Sequence, residues 1–565
     1  MKEPIWEFSL PKLQDQNIDP ICSFLGDEDA AVEWEKDEKP VDLFLHTNTY
    51  EAFKNEQSLF LFGRRGTGKT AIMRMFQHEI RLGKIKNYTY AWRVNSEEAF
   101  GEIIRHLGDK IAQFDLSMIN DLAEKWRWIF EVSAMAGVVF KHFQDGEHDK
   151  NYDCIYKYLK RNSMIKKSNH GELKFAKNPM EKIVNVIEEA LSSLEDDYKE
   201  AAAASLITKI VKNLKTKDFE EARKALYHYV SKNNRCVIFI DSIEHYNIND
   251  NISQAVTTAL IKATYDTYVN SPKSGLHVKV AFPSEIYSYL IPLNKDKIET
   301  KNLFILWSFK DLVCLLAKRY YHMCLNSMLR EKLNHCIYDR LYEFEFAKKF
   351  LYELLPETVV TKNGFEMDTL AYIIRHTQKK PRQIIQLMNI VLSYAAKING
   401  ETPLRISSSS IVNGVHARLD ILAKGSLDAY QQIYPNITKV IQKSFTNAKC
   451  YFFHSDFDKY IKESNSLWKQ DQLTKYDIQS LILGTGAVGV VKHKNRVRGK
   501  EIWETAFEYQ IKGILEANNN VKEYAIHPMF YNFFECLVDN NVIIYPQPQE
   551  QEELEYLKNE GILLV

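Results

Sequence analysis

The chain has no excess of either charge: Lys and Arg total 74 and Asp and Glu total 74 in 565 residues. No global basic excess therefore suggests nucleic acid by itself, and any such site must be local. Cysteine is sparse. The eight residues at 22, 154, 236, 314, 324, 336, 450 and 536 form no C-x-x-C pair and have no histidine cluster nearby. That argues against a zinc site or a disulfide framework and favours a reducing, cytoplasmic setting. Long apolar runs are missing too. The start, Met-Lys-Glu-Pro-Ile-Trp-Glu, lacks the apolar core of a signal segment, and no uncharged stretch of about 18 residues follows, so no membrane partner is expected. The nearest candidate, Val132-Ser-Ala-Met-Ala-Gly-Val-Val-Phe140, reads as a buried helix segment.

What is present is a phosphate-binding loop. Gly63-Arg64-Arg65-Gly66-Thr67-Gly68-Lys69-Thr70 is a complete G-x-x-x-x-G-K-T, preceded by the apolar run Ser58–Phe62 and followed by helical periodicity from Ala71. Glycines at 63, 66 and 68 are expected to take positive φ angles that turn backbone N–H groups inward, with the helix N-terminus behind them. Lys69 then reaches the β- and γ-phosphates, and the Thr70 hydroxyl completes a Mg²⁺ shell. Further along, Arg235-Cys-Val-Ile-Phe-Ile-Asp241 reads as a central parallel strand ending in a carboxylate. Asp241 is the Walker B candidate for Mg²⁺, and Glu244 is the candidate general base for an attacking water.

Around these motifs the periodicity predicts strands at Tyr88–Val94, His277–Phe282 and Leu303–Phe309, with helices at Ile252–Val269 and Asp311–Cys324. From about 98 to 231 it is helical almost throughout, with the basic pairs Lys160-Arg161 and Lys166-Lys167 in a loop. The stretch 27–38 carries seven acidic side chains against one lysine and reads as a solvated segment. Residues about 335–400 read as a helical bundle, in which Pro381-Arg382 opens a helix.

From about 425 to 545 the pattern is that of a winged-helix-type module, with a helix at Leu473–Leu483, a glycine-rich turn into a strand at Gly484–Lys492, and a return strand Tyr524–His527 stopped by Pro528. Lys492, Lys494, Arg496, Arg498 and Lys500 alternate with other residues, so an extended ribbon would place them on one face as a phosphate-facing stripe. A solvated hairpin reads equally well. His527 reads as a packing or capping histidine, and the tail Gln547–Glu555 as exposed.

With loop, Asp241 strand, a polar residue after the fourth strand and the Pro-Arg helix start in this order, residues 20–400 resemble AAA+/STAND-like P-loop ATPases, closest to origin-recognition-like and bacterial conflict-system ATPases. The resemblance implies an α/β fold with a five-stranded parallel P-loop NTPase sheet of the ASCE type, a long helical insertion, a helical lid and a C-terminal winged-helix-like module. The expected division is an acidic segment 1–50, an ATPase domain 51–325 with its insertion at 98–231, a lid 326–424 and a C-terminal domain 425–565. The resemblance also implies ATP with Mg²⁺, contacts from Gly63 through Ala71, Ser284 as a sensor-1 type group and Arg382 as a sensor-2 type arginine. It departs in having Ser242, not an acid, directly after Asp241, and in offering only Arg319 as an arginine-finger candidate. The implied function is a nucleotide-driven switch or motor on DNA or a protein assembly, with antiviral defence as one setting. Two alternatives stay open: a non-catalytic scaffold signalling to a partner effector protein, and a DNA-binding regulator for which nucleotide is an effector. A homo-oligomer is compatible with each.

Overall fold

The computed structural model describes residues 6–8, 18–27, 40–95, 116–146, 148–167, 173–175, 215–241, 250–290, 298–325, 338–471, 473–510 and 521–563. The acidic stretch beyond residue 27, the helix start at Ser96, the Asn178–Lys215 periodicity short of its last residue, and Glu244 lie outside them. The chain forms two compact units. A sheet unit comprises Asn48–Gly63 and Lys69–Ile305, and a second unit comprises Met1–Thr47, Arg64–Gly68 and Leu306–Val565. The expected lid and C-terminal domain thus fall in one unit.

The sheet unit holds β1 (Phe60–Phe62), β2 (Tyr90–Asn95), β3 (Cys236–Asp241), β4 (Leu276–Phe282) and β5 (Asn302–Phe304), all parallel in the order β2-β3-β4-β1-β5. β4 separates the loop-bearing β1 from the Asp241 strand β3. Both β3 and β4 are buried along their whole length, which is why they read as unbroken apolar runs. The helices are α1 (Asn48–Phe53), α2 (Lys69–Arg81), α3 (Leu116–Asp145), α4 (Lys150–Arg161), α5 (Lys217–Tyr229) and α6 (Asn251–Ser274). In α2 the buried positions Ile72, Met73, Phe76 and Ile80 recur at helical spacing, and Phe76 packs against Phe53 and Phe239. As expected, Val132–Val139 is the buried centre of a helix, here the 30-residue α3, with Val132, Val138 and Val139 fully enclosed.

One lysine lies inside the apolar sheet. Lys279, in the middle of β4, donates its three ammonium hydrogens to the carbonyls of Phe53 (2.8 Å), Asn55 (2.8 Å) and Ser58 (2.6 Å). It closes the C-terminal end of α1, where carbonyls have no intrahelical partner.

Three element boundaries differ from the sequence reading. The helix expected to stop at Val269 continues to Ser274 with Pro272 inside it. Proline removes the N–H that would bond Tyr268, but the Ser271 hydroxyl takes that carbonyl at 2.7 Å, and Gly275 closes the helix in the left-handed conformation. The fifth strand ends at Phe304 rather than Phe309, because Ser308 and Asp311 cap each other's backbone N–H and start a helix at Phe309. The expected loop at Lys166-Lys167 is a short hairpin, Ile165–Lys167 with Leu173–Phe175.

The second unit contains α7 (Phe309–Leu325), α8 (Phe344–Tyr352), α9 (Thr369–Arg375), α10 (Pro381–Ile398), α11 (Ser408–Ala417) and α12 (Leu419–Asp428), with a small hairpin Thr358–Val360/Glu366–Asp368 among them. The chain continues through α13 (Ile437–Phe445), β6 (Tyr451–Phe453), α14 (His454–Glu463), α15 (Lys475–Gly484), β7 (Val488–Val497), β8 (Lys500–Ala506), β9 (Glu523–Ile526), β10 (Val542–Pro546) and α16 (Gln551–Asn559). These strands form one sheet, β6-β9-β7-β8-β10, with only β8 and β10 parallel.

The tail Gln547–Glu555 is exposed at Glu550, Gln551, Glu552 and Glu555, but Glu553 departs from that expectation. Glu553, Tyr556 and Leu557, spaced i, i+3, i+4 on α16, are buried. Glu553 holds Lys379 with both carboxylate oxygens at 2.7 and 2.8 Å, the two side chains being 1% and 6% exposed.

Candidate functional site

The glycine loop leaves the C-terminal edge of β1 and opens α2 at Lys69. Gly66 and Gly68 have φ of +86° and +94°, the conformations that turn N–H groups inward. Gly63, expected to do the same, has no positive φ. It extends β1: its N–H donates to the Phe282 carbonyl at 3.1 Å, and its own carbonyl accepts from the Ser284 N–H at 3.2 Å and from the Lys69 ammonium at 2.8 Å. Ser284, directly after Pro283 at the end of β4, is thereby fixed beside the loop's first residue.

Asp241 ends β3 with its side chain fully enclosed. Its Oδ1 accepts from the Thr70 hydroxyl at 3.3 Å and its Oδ2 from Arg93 Nη1 at 3.1 Å. Thr70 and Asp241 therefore present converging hard oxygen donors, the chemistry Mg²⁺ requires when a nucleotide supplies the remaining ligands. Arg93 was not singled out in the sequence. The signal was there, as a lone arginine in the otherwise uncharged strand Tyr88–Val94, but its partner was not.

The middle of the loop is engaged within the second unit. The Arg382 N–H, in the first turn of α10, donates to the Gly66 carbonyl at 3.3 Å, and a Cβ on Gly66 would come within 3.0 Å of the Arg382 Cβ. Thr67 is buried; its hydroxyl donates to the Arg64 carbonyl at 2.8 Å and its carbonyl accepts from Trp307 Nε1 at 2.9 Å. Arg64 turns its guanidinium to the C-terminal end of α15, donating to the carbonyls of Gly484 (2.8 Å) and Thr485 (3.4 Å). Tyr430 and Gln378 also donate to these two carbonyls, to Gly484 and Thr485 respectively. Arg65 is exposed, and Ala71 lies in the first turn of α2.

The remaining candidates separate. Arg319 is buried with Nη1 on the Leu25 carbonyl at 3.2 Å, which is a structural environment and not that of a projecting finger. His527 caps the turn that follows it, accepting from the Met529 N–H at 3.1 Å, and burial holds its pKa well below the usual histidine range. The basic stripe is broken. A bulge between Val491 and His493 interrupts the alternation at Lys492, and Arg498 sits at φ +48° in the hairpin turn. Lys494 lies over the Trp503 ring and pairs with Glu523 at 2.6 Å, while Lys500 donates to the Asn540 carbonyl at 2.8 Å.

A parallel five-stranded sheet with a glycine loop on one strand edge and a buried aspartate on another is consistent with the core of a P-loop nucleotide-binding protein. Residues 28–247 match the family described as ORC-CDC6-like, a stretch that takes in the loop, Arg93, Asp241 and Glu244 but neither Ser284 nor Arg382. At that coarse level the chain is similar to nucleotide-binding AAA+ ATPases. No match was found among curated proteins. No helix among the described residues is long and apolar enough to cross a membrane.

Proposed function

We propose that the protein is a Mg²⁺-dependent ATPase whose nucleotide state is passed to its lid and C-terminal module. The observation that carries this reading is the convergence of Thr70 and Asp241 at 3.3 Å beside a lysine at the first position of α2. Loop amides opened by Gly66 and Gly68 hold the phosphates, Lys69 leaves the Gly63 carbonyl for the β- and γ-phosphates, and Thr70 with Asp241 holds the metal. When bound, Mg²⁺ neutralises charge developing on the phosphates. Glu244 is assigned as the base, Ser284 as the group reporting on the γ-phosphate and Arg382 as the lid cation. Grouping of Arg64–Gly68 with α10 and α15 supports transmission from loop to lid and C-terminal module.

The order α13-β6-α14-α15-β7-β8 supports a winged-helix reading of that module, with β7 and β8 as the wing; its cations do not share one face, but Lys492, Lys494, Arg496 and Arg498 are all exposed on this hairpin and give it local positive charge toward a DNA backbone. Calorimetry with ATP and Mg²⁺ tests the core of the proposal: wild type binds, and Lys69→Ala loses binding by at least about tenfold. Equal affinities would remove its basis. DNA contact is tested by the salt dependence of binding with the four cations neutralised, which should flatten by roughly one unit per lost phosphate contact.

A non-hydrolysing switch that signals to a partner effector is favoured by one feature, the serine at 242 where AAA+ ATPases usually carry an acid. Phosphate release separates the two readings: Glu244→Gln abolishes it in an ATPase and changes nothing in a switch.

A further inference from the structure

We propose that Arg93 is a built-in stand-in for the metal: its guanidinium holds Asp241 until a magnesium nucleotide takes that carboxylate over, and it thereby sets how much Mg²⁺ the site needs. The inference rests on the nucleotide-binding reading above and goes beyond it in naming what governs metal entry.

Asp241 is wholly enclosed, and a buried carboxylate must be paired or hydrogen-bonded to be tolerated. The register of β2 and β3 supplies the pairing. Arg93 stands opposite Phe239 and Asn95 opposite Asp241, so Arg93 is two residues short of Asp241 on the neighbouring strand. Because residues two apart on a strand share a face, its side chain runs along the sheet toward the ligand edge and reaches Oδ2 at 3.1 Å. The two carboxylate oxygens are thus divided, Oδ1 toward the loop threonine and Oδ2 toward the arginine.

Arginine cannot be neutralised, so its charge opposes a divalent cation arriving at the same carboxylate. Its side chain is 19% exposed and has a way out to solvent, whereas Asp241 has none. The exchange is one of counter-ions: guanidinium leaves Oδ2, the Thr70–Asp241 pair faces the metal, and no covalent bond is broken. If Arg93 holds a fraction f of the sites, the apparent metal requirement rises by 1/(1 − f), so about 80–90% of sites held corresponds to about five- to tenfold.

The test uses the full chain, a fluorescent ATP analogue and Mn²⁺ observed by electron paramagnetic resonance, so that metal uptake is read independently of turnover. In Arg93→Gln the half-saturating Mg²⁺ or Mn²⁺ concentration for the nucleotide-loaded protein is expected to fall about five- to tenfold. In Arg93→Lys, which keeps the charge, it stays within about twofold. Equal midpoints in wild type and Arg93→Gln, with only a lowered melting temperature in the variant, would overturn the proposal and leave Arg93 a structural ion pair. Wild type that binds no nucleotide at any metal concentration would instead sink the nucleotide reading and this inference with it. Should Arg93→Gln fail to fold, Arg93→Met, which also removes the charge, answers the same question: its midpoint must drop by a similar factor, and no drop overturns the proposal.

Discussion

The Arg64 guanidinium donates to the Gly484 carbonyl at 2.8 Å, joining the phosphate loop to the C-terminal end of a helix 420 residues further along the chain. Helix C-termini leave carbonyls without partners, and a cation is the favoured group there. Arg64→Ala removes a largely buried, charge-assisted bond, although Tyr430 and Gln378 still donate to the same two carbonyls. The expected loss is about 1–3 kcal/mol, read as a lower midpoint in chemical denaturation. Arg64→Lys restores part of it at most, since a compact ammonium does not reproduce the fixed two-pronged geometry with which the guanidinium meets these two carbonyls.

Gly66 admits no side chain. At φ +86° an L-residue is strained, and its Cβ would meet the Arg382 Cβ at 3.0 Å. Gly66→Ala is expected to cost about 1–2 kcal/mol and to weaken nucleotide binding, whereas alanine at the exposed Arg65 changes stability by less than about 0.5 kcal/mol. Calorimetric titration with ATP beside a thermal melt checks both.

His277 gives the sheet unit an acid limit. Burial pushes its pKa down to about 4, with Arg235 and Lys279 adding to the effect. The unfolded chain titrates near the ordinary value of about 6.5 and so binds the extra proton as pH falls. The contribution is therefore complete above pH about 6.5 and is lost progressively toward pH about 4. Replacing the ring with His277→Phe should flatten the stability-against-pH curve in that window. An unchanged slope would show that His277 does not titrate on unfolding.

Glu553 and Lys379 bind each other at 2.7 Å with almost no solvent contact. Removing one partner of such a pair strands the other, so Glu553→Ala is expected to cost about 3–5 kcal/mol. The double variant Lys379→Met with Glu553→Leu recovers most of that, because neither charge is left behind. A double-mutant cycle of unfolding free energies measures the difference.

Much of the sheet was legible because parallel strands buried on both faces must be continuous apolar runs, as Cys236–Asp241 and Leu276–Phe282 are. The loop was legible because its glycines serve local backbone angles, though Gly63 serves the end of a strand instead. What escaped depends on partners distant in sequence. Nothing near Arg93 announces Asp241, since only strand register brings them together. In the tail Gln547–Glu555, average polarity concealed the one buried carboxylate, Glu553, whose partner Lys379 is distant in sequence. The stripe from Lys492 to Lys500 assumed unbroken alternation, which one bulge and one left-handed residue remove. The helix expected over Ile252–Val269 runs on through Pro272 because the Ser271 hydroxyl takes the Tyr268 carbonyl that the missing N–H leaves, which local periodicity does not show.

Lys279 carries a practical consequence. All three of its N–H bonds are spent on carbonyls, and the side chain lies against the Phe53 ring. Acylating reagents that tag surface amines should pass it over while the sheet is intact and modify it once the strand opens. A peptide map of that single amine would then time the opening of the sheet during denaturation.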